Sequence, residues 1–136
     1  FAAAPQLEIT SVACPLFVSY VERGETFGQE ILKIATDYLQ PIIEAGADTL
    51  VLGCTHYPLL TGVISYVVGD DVTLVSSAEE TAKDLFRTLA ASGLERAANA
   101  GPPEHKFYAT GDTRTFSALA RRFLGPEVTA VENLTL

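Results

Sequence analysis

Six consecutive residues, Gly53-Cys54-Thr55-His56-Tyr57-Pro58, put a thiol, a hydroxyl and an imidazole within three positions of one another. The thiolate is the reactive form of cysteine, and a nearby imidazolium or helix N-terminus stabilises it. Cys54 and His56 therefore suit nucleophilic or proton-transfer chemistry, and Gly53 fits a place where the backbone turns sharply or lets a ligand come close. A lone cysteine is more often a small buried hydrophobe, and a lone loop histidine more often bonds the backbone. The combination, placed at the end of an apolar run, favours a site without naming its reaction.

Other candidates carry less. Cys14 precedes Pro15 after a β-branched stretch, where it faces the same region or, as the better expectation, is buried. Glu22 lies just before Gly24 in a short apolar segment; it either orients and polarises His56 or is exposed to solvent. His105, after Pro102-Pro103-Glu104, reads as a surface residue, and Arg121-Arg122 suit the C-terminal end of a helix dipole. G-x-G-x-x-G, a Walker loop, C-x-x-C and H-E-x-x-H are all missing, so nothing calls for a nucleotide, a flavin or zinc.

The elements that must position these residues follow from periodicity. Residues 7–13 read as a short strand, and Phe17 to Val21 is apolar but too short to classify. Thr26-x-x-Gln29 forms a capping box ahead of apolar positions 27, 31, 34, 35, 38, 39, 42 and 43, a helix that Pro41 kinks or restarts and Gly46 ends. Thr49 to Gly53 is a continuous apolar run, the pattern of a central parallel strand buried on both faces. Ligands in open α/β sheets bind at the carboxyl ends of such strands, which is where Cys54 falls. Beyond Pro58 come a helix over 59–68, a turn at 69–71 and a strand over 72–75. Ser76 and Ser77, with Glu79 and Glu80, offer two overlapping capping boxes for a helix over 78–91, apolar at 78, 82, 85, 86 and 89. Glu79 and Lys83 stand at pairing distance on its other face. A loop over 94–105, a strand over 106–110, a helix over 113–124 capped by Asp112, and a strand over 128–131 complete the chain. The alternation gives an α/β fold with a mostly parallel sheet and flanking helices.

The 136 residues, 48% hydrophobic and 19% charged, have the balance of a packed chain the size of one ordinary domain. A net charge of −8 gives a phosphate-tracking surface little to draw on, so nucleic acid is not an expected partner. No run of 18 apolar residues is present, so no membrane association is expected. Two cysteines are too few for a disulfide framework and fit a reducing cytoplasm. The chain has no Met and starts at Phe1, which reads as a processed chain or a fragment.

Leu52-Gly53-Cys54-Thr55-His56-Tyr57-Pro58-Leu59-Leu60 resembles the second cysteine motif of the glutamate racemases. Three further stretches agree: Ala13-Cys14-Pro15-Leu16-Phe17-Val18 through Glu22, Ser77-Ala78-Glu79-Glu80-Thr81-Ala82, and Phe107-Tyr108-Ala109-Thr110-Gly111-Asp112 before Phe116. Ser19 and Ser76 stand where many members carry Pro and Asp.

The resemblance implies a two-domain pseudo-symmetric fold and a two-base, two-cysteine interconversion of L- and D-glutamate, with neither cofactor nor metal. By motif, Cys54 is the acid/base on one face of the substrate, His56 its proton-handling partner, Glu22 the carboxylate that sets that histidine, and Thr55 a contact to the substrate carboxylate. The family's Cys-Asn-Thr segment has no counterpart here. Residues 1–76 are then expected to form most of the second domain, and 77–136 to return and complete the first, whose N-terminal part is absent; the chain alone should be inactive. The intact enzyme is expected to be a cytoplasmic homodimer that supplies D-glutamate for peptidoglycan. Related aspartate racemases tend to carry Glu at the position of His56, so this histidine favours glutamate over the alternatives of an aspartate or hydantoin racemase. A non-catalytic binding module is the alternative from outside enzymology.

Overall fold

A proline at the first helical position costs nothing, because that N–H has no intrahelical partner. Pro15 opens α1 (Pro15–Arg23) in this way, in a computed structural model that describes residues 4–135. Phe17, Tyr20 and Val21 fall at helical spacing and are the buried residues of α1, so the segment too short to classify from sequence is helical. Its end is fixed by Gly24, at φ +79°, with the Gly24 N–H on the Val21 carbonyl and the Glu25 N–H on the Tyr20 carbonyl. That pair of bonds is the Schellman arrangement, which an L-residue at this φ would strain. Residues 7–13 do not form the expected strand. Their β-branched composition favours a pleated, half-buried surface, and Leu7 and Ile9 find no such surface and are exposed.

α2 (Gln29–Glu44) buries Ile31, Ala35, Leu39 and Ile42 along one stripe. It starts later than the capping box suggested. Gly28, at φ +110°, is its N-cap without a side-chain bond, which leaves Thr26 outside the helix and Phe27 82% exposed. The helix runs through Pro41 to Glu44 without restarting, since a proline this close to the end removes one hydrogen bond and its ring lies on an exposed face.

β1 (Thr49–Leu52) pairs in parallel with β2 (Thr73–Ser76), Leu52 opposite Ser76, and between them come the 3₁₀ turn Tyr57–Leu60 and α3 (Thr61–Val68). β1 is not a central strand buried on both faces. Among the described residues only β2 pairs with it, and Val51 is 59% exposed. Leu52 alone of the strand is fully buried, meeting Leu60 and Ile64 in the core that α1 and α2 supply.

α4 (Ser77–Ala91) is capped by Ser76, whose hydroxyl accepts the Glu79 N–H at 3.3 Å; Lys83 pairs with Glu80 at 2.7 Å and Glu79 at 3.6 Å. None of its residues is buried, and Leu85 and Phe86 stand open. The chain divides after Gly93 into two compact units. In the second, β3 (Phe107–Ala109) pairs in parallel with β4 (Val131–Asn133), and α5 (Thr113–Leu124) connects them. The last strand lies beyond the expected 128–131 because Val128 is used as a buried core residue. The Arg121 guanidinium holds the Val128 and Thr129 carbonyls at 2.9 and 3.0 Å, a clamp that the dipole argument did not foresee.

Two expectations follow. Phe17 is 1% exposed at the centre of the core, so Phe17→Ala should lower stability by about 3–5 kcal/mol in urea denaturation, whereas Leu7→Ala at an exposed position should shift it by less than about 0.5 kcal/mol. In the second unit, the Thr115 hydroxyl and then the Thr115 and Arg114 backbone N–H groups hold the Asp112 carboxyl below its ordinary range. A depressed carboxyl stabilises the fold fully above its unfolded value, and that contribution is lost as pH falls through the folded one. Asp112→Asn keeps a good cap and should flatten the loss of stability on acidification below the carboxylate range; melts with identical acid slopes would contradict the assignment.

Candidate functional site

At the carboxyl end of β1 the chain leaves Leu52, bends through Cys54-Thr55-His56 and enters the 3₁₀ turn, which the Leu59 N–H closes on the His56 carbonyl at 3.0 Å. The Leu52 carbonyl is taken by the Ser77 hydroxyl at 2.8 Å, which ties the start of α4 to the strand end that carries the site. Gly53 does not adopt the left-handed backbone expected of a sharp turn, and a Cβ there would meet nothing within 4 Å. Its small size leaves open space beside Cys54 without any backbone demand.

Glu22, 34 residues upstream on α1, meets His56: Oε1 lies 3.3 Å from Nε2, with 44% and 24% of the two side chains exposed. The other ring nitrogen, Nδ1, is 3.2 Å from the Thr55 hydroxyl. An ionised carboxylate only accepts, so a proton on Nε2 satisfies the Glu22 contact. In the neutral tautomer Nδ1 is then an acceptor and takes the Thr55 O–H. In the imidazolium, Nδ1 donates to Thr55 and releases that hydroxyl's own proton toward a third group. The three side chains thus form a unit that can take up and return a proton, on the bend that carries the half-buried, unpaired thiol of Cys54.

Cys14 takes no part in this. It lies at the start of α1 rather than after a strand, and is 4% exposed with Sγ 3.8 Å from the Val12 carbonyl. Burial pushes its thiol pKa up and disfavours the reactive thiolate. His105, in the second unit, is exposed and stacks on Phe107. Among the described residues no three His, Cys, Asp or Glu side chains converge as metal ligands would.

Sequence reasoning passed over two contributors. In the sequence Tyr57 stands out only as part of the motif, yet its hydroxyl accepts the Cys14 N–H at 3.2 Å and its ring packs edge-on against Phe17, centroids 5.5 Å apart. Burial first, and the neighbouring Cys14 and Cys54 after it, push that hydroxyl's pKa up, while the Cys14 N–H opposes them. No local signal marks this role, because the helix start that Tyr57 serves is itself decided by tertiary packing. The sequence offers Ser77 as a second cap, whereas its hydroxyl donates to the Leu52 carbonyl.

No family model matches the chain. The glutamate racemase of Acidothermus cellulolyticus is 58% identical over 134 residues, which make up 98% of this chain and 51% of that protein. Two solved structures superpose closely. Glutamate racemase isoform RacE1 from Bacillus anthracis is 36% identical, with a TM-score of 0.82 over 99% of this chain and 49% of that one. Glutamate racemase from Francisella tularensis in complex with D-glutamate is 30% identical, with a TM-score of 0.84 over 96% and 48%. This chain spans about half the length of the relatives it matches. Agreement in sequence along nearly the whole chain, joined to agreement in fold, places the chain in the glutamate racemase family.

Proposed function

We propose that the chain supplies one half of a cofactor-independent racemase that interconverts L- and D-glutamate, with Cys54 as the acid/base on one face of the substrate. The observation that carries this reading is the Glu22–His56 pair at 3.3 Å, formed across 34 residues on the bend that holds Cys54. The relative solved with D-glutamate supports the choice of substrate.

In one direction the Cys54 thiolate takes the α-hydrogen as a proton, leaving its electron pair on the α-carbon, and a thiol on the opposite face delivers a proton there. In the other direction Cys54, as the thiol, is the donor. A thiol reaches both protonation states near working pH, which suits a group that must alternate between them. His56, set by Glu22, receives and returns the Cys54 proton between turnovers, and Thr55 meets the substrate carboxylate. No metal or cofactor takes part in this scheme.

The reading includes a division at 76/77, with residues 1–76 as most of one domain and 77–136 as part of another that a further N-terminal segment completes. The absence of any buried residue in α4 supports that division. The completed enzyme is proposed to be a cytoplasmic homodimer that makes D-glutamate for peptidoglycan.

The test is exchange of the α-hydrogen in D₂O, followed by proton NMR on L-glutamate, D-glutamate and aspartate. The chain completed with an N-terminal half containing the Cys-Asn-Thr segment should exchange and racemise glutamate but not aspartate, and the chain alone should do neither. Cys54→Ala in the completed protein should abolish turnover. Strong racemisation by the chain alone would remove the two-half reading, and full activity in Cys54→Ala would remove the thiol. Glu22→Gln keeps the shape of the side chain and loses the ionic contact, so kcat should fall by about 10- to 100-fold, the scale of a misplaced catalytic group; an unchanged kcat would disconnect Glu22 from the proton path.

A further inference from the structure

We infer that Tyr57 is a positioning residue, which sets the Cys54–His56 bend against Glu22 by anchoring that bend to the N-terminus of α1. The inference rests on the racemase reading for what the site does, but the anchor itself stands on geometry.

α1 starts without a cap of its own. The Cys14 side chain makes no capping bond, Pro15 has no N–H, and the N–H groups of Cys14 and Leu16 go to two tyrosine hydroxyls, Tyr57 at 3.2 Å and Tyr38 at 3.4 Å. Both rings meet Phe17 edge-on, at 5.5 and 5.4 Å. The two tyrosines thus do equivalent work for the helix, but they arrive from different places. Tyr38 comes from α2, which carries no site residue. Tyr57 directly follows His56.

The adjacent side chains of His56 and Tyr57 therefore grip α1 at separate points. Tyr57 holds the N–H of residue 14, and His56 holds the carboxylate of residue 22. Eight residues at the rise of a helix separate these points by about 12 Å. A bend tied only through the half-exposed His56–Glu22 contact could swing about it, carrying Cys54 along. Tied at both points, it has one orientation on the helix. The hydroxyl of Tyr57, rather than its bulk, supplies the second tie, since the ring by itself could slide on Phe17.

Tyr57→Phe and Tyr38→Phe, made in the completed protein, separate this role from helix capping, because each removes one hydroxyl from the same helix end. The readouts are the nitrogen NMR shifts of the His56 ring, compared with those of Glu22→Gln, and the rate of α-hydrogen exchange. Tyr57→Phe should move the His56 signals toward those of Glu22→Gln and lower kcat about tenfold or more with little change in KM. Tyr38→Phe should leave the His56 signals and kcat as they were. Unchanged His56 signals in Tyr57→Phe, or equal effects in the two variants, would overturn the inference. In the unsubstituted protein the Cys14 amide should exchange slowly with solvent, and fast exchange there would overturn the anchor even if Tyr57→Phe failed to fold. Absence of glutamate exchange in the unsubstituted protein would strike the racemase reading alone, and the His56 signals would still decide the role of Tyr57.

Discussion

A helix beginning with Cys-Pro must find acceptors for its first N–H groups outside itself, and this requirement organises the first unit. The Cys14 N–H is part-buried beside its own buried side chain, where leaving it unmet would cost about 1–3 kcal/mol, whereas the Leu16 N–H lies toward solvent. Tyr38 and Tyr57 supply the acceptors, and because both side chains must cross the core to do so, their rings come to rest on Phe17. One local deficiency in α1 thus brings α2 and the 3₁₀ turn onto the same helix, and the same arrangement brings Glu22 to His56.

The other end of the site is held by strand pairing. Parallel register puts Leu52 opposite Ser76, so the strand that delivers Cys54 and the strand that delivers α4 end at the same level. Ser77 then reaches the Leu52 carbonyl, an acceptor that would otherwise lie open where β1 stops. The bend from Gly53 to His56 is suspended between this fixed strand end and the tyrosine anchor. That is what a site built in a loop needs, since loops are otherwise the mobile part of a fold.

Much of this was legible in the sequence where the signal was local. Ser76 and Asp112 cap the helices they precede, Gly46 takes a positive φ where α2 ends, and the strands around 49–52 and 73–76 carry apolar runs bounded by turn residues. The signal failed where the outcome depended on a partner distant in sequence. Leu7 to Ala13 has the composition of a strand, but composition does not supply a neighbouring strand. Phe17 to Val21 is too short for periodicity to decide, and only its packing on α2 and the Tyr57 ring makes it helical. Val51 lies in a run that reads as doubly buried, yet burial of its second face depends on what lies across from it. The same limit applied in the site. Cys54, Thr55 and His56 could be picked out because they are adjacent, whereas the choice between an exposed Glu22 and one that sets His56 was a question of tertiary contact.

Thr55 illustrates how the local and distant parts combine. Its hydroxyl has one proton to give, and His56 Nδ1 claims it as long as the ring is neutral with its proton on Nε2. A carboxylate arriving at Thr55 needs a donor, and receives one when the ring becomes an imidazolium that donates from both nitrogens, to Thr55 and to Glu22. What the Thr55 hydroxyl can offer a ligand therefore depends on which partner the adjacent ring presents to it. Glu22 holds the ring from its other side, at Nε2. The orientation of that ring is thus fixed from α1 at Glu22, eight residues along the same helix from the Cys14 N–H that Tyr57 holds.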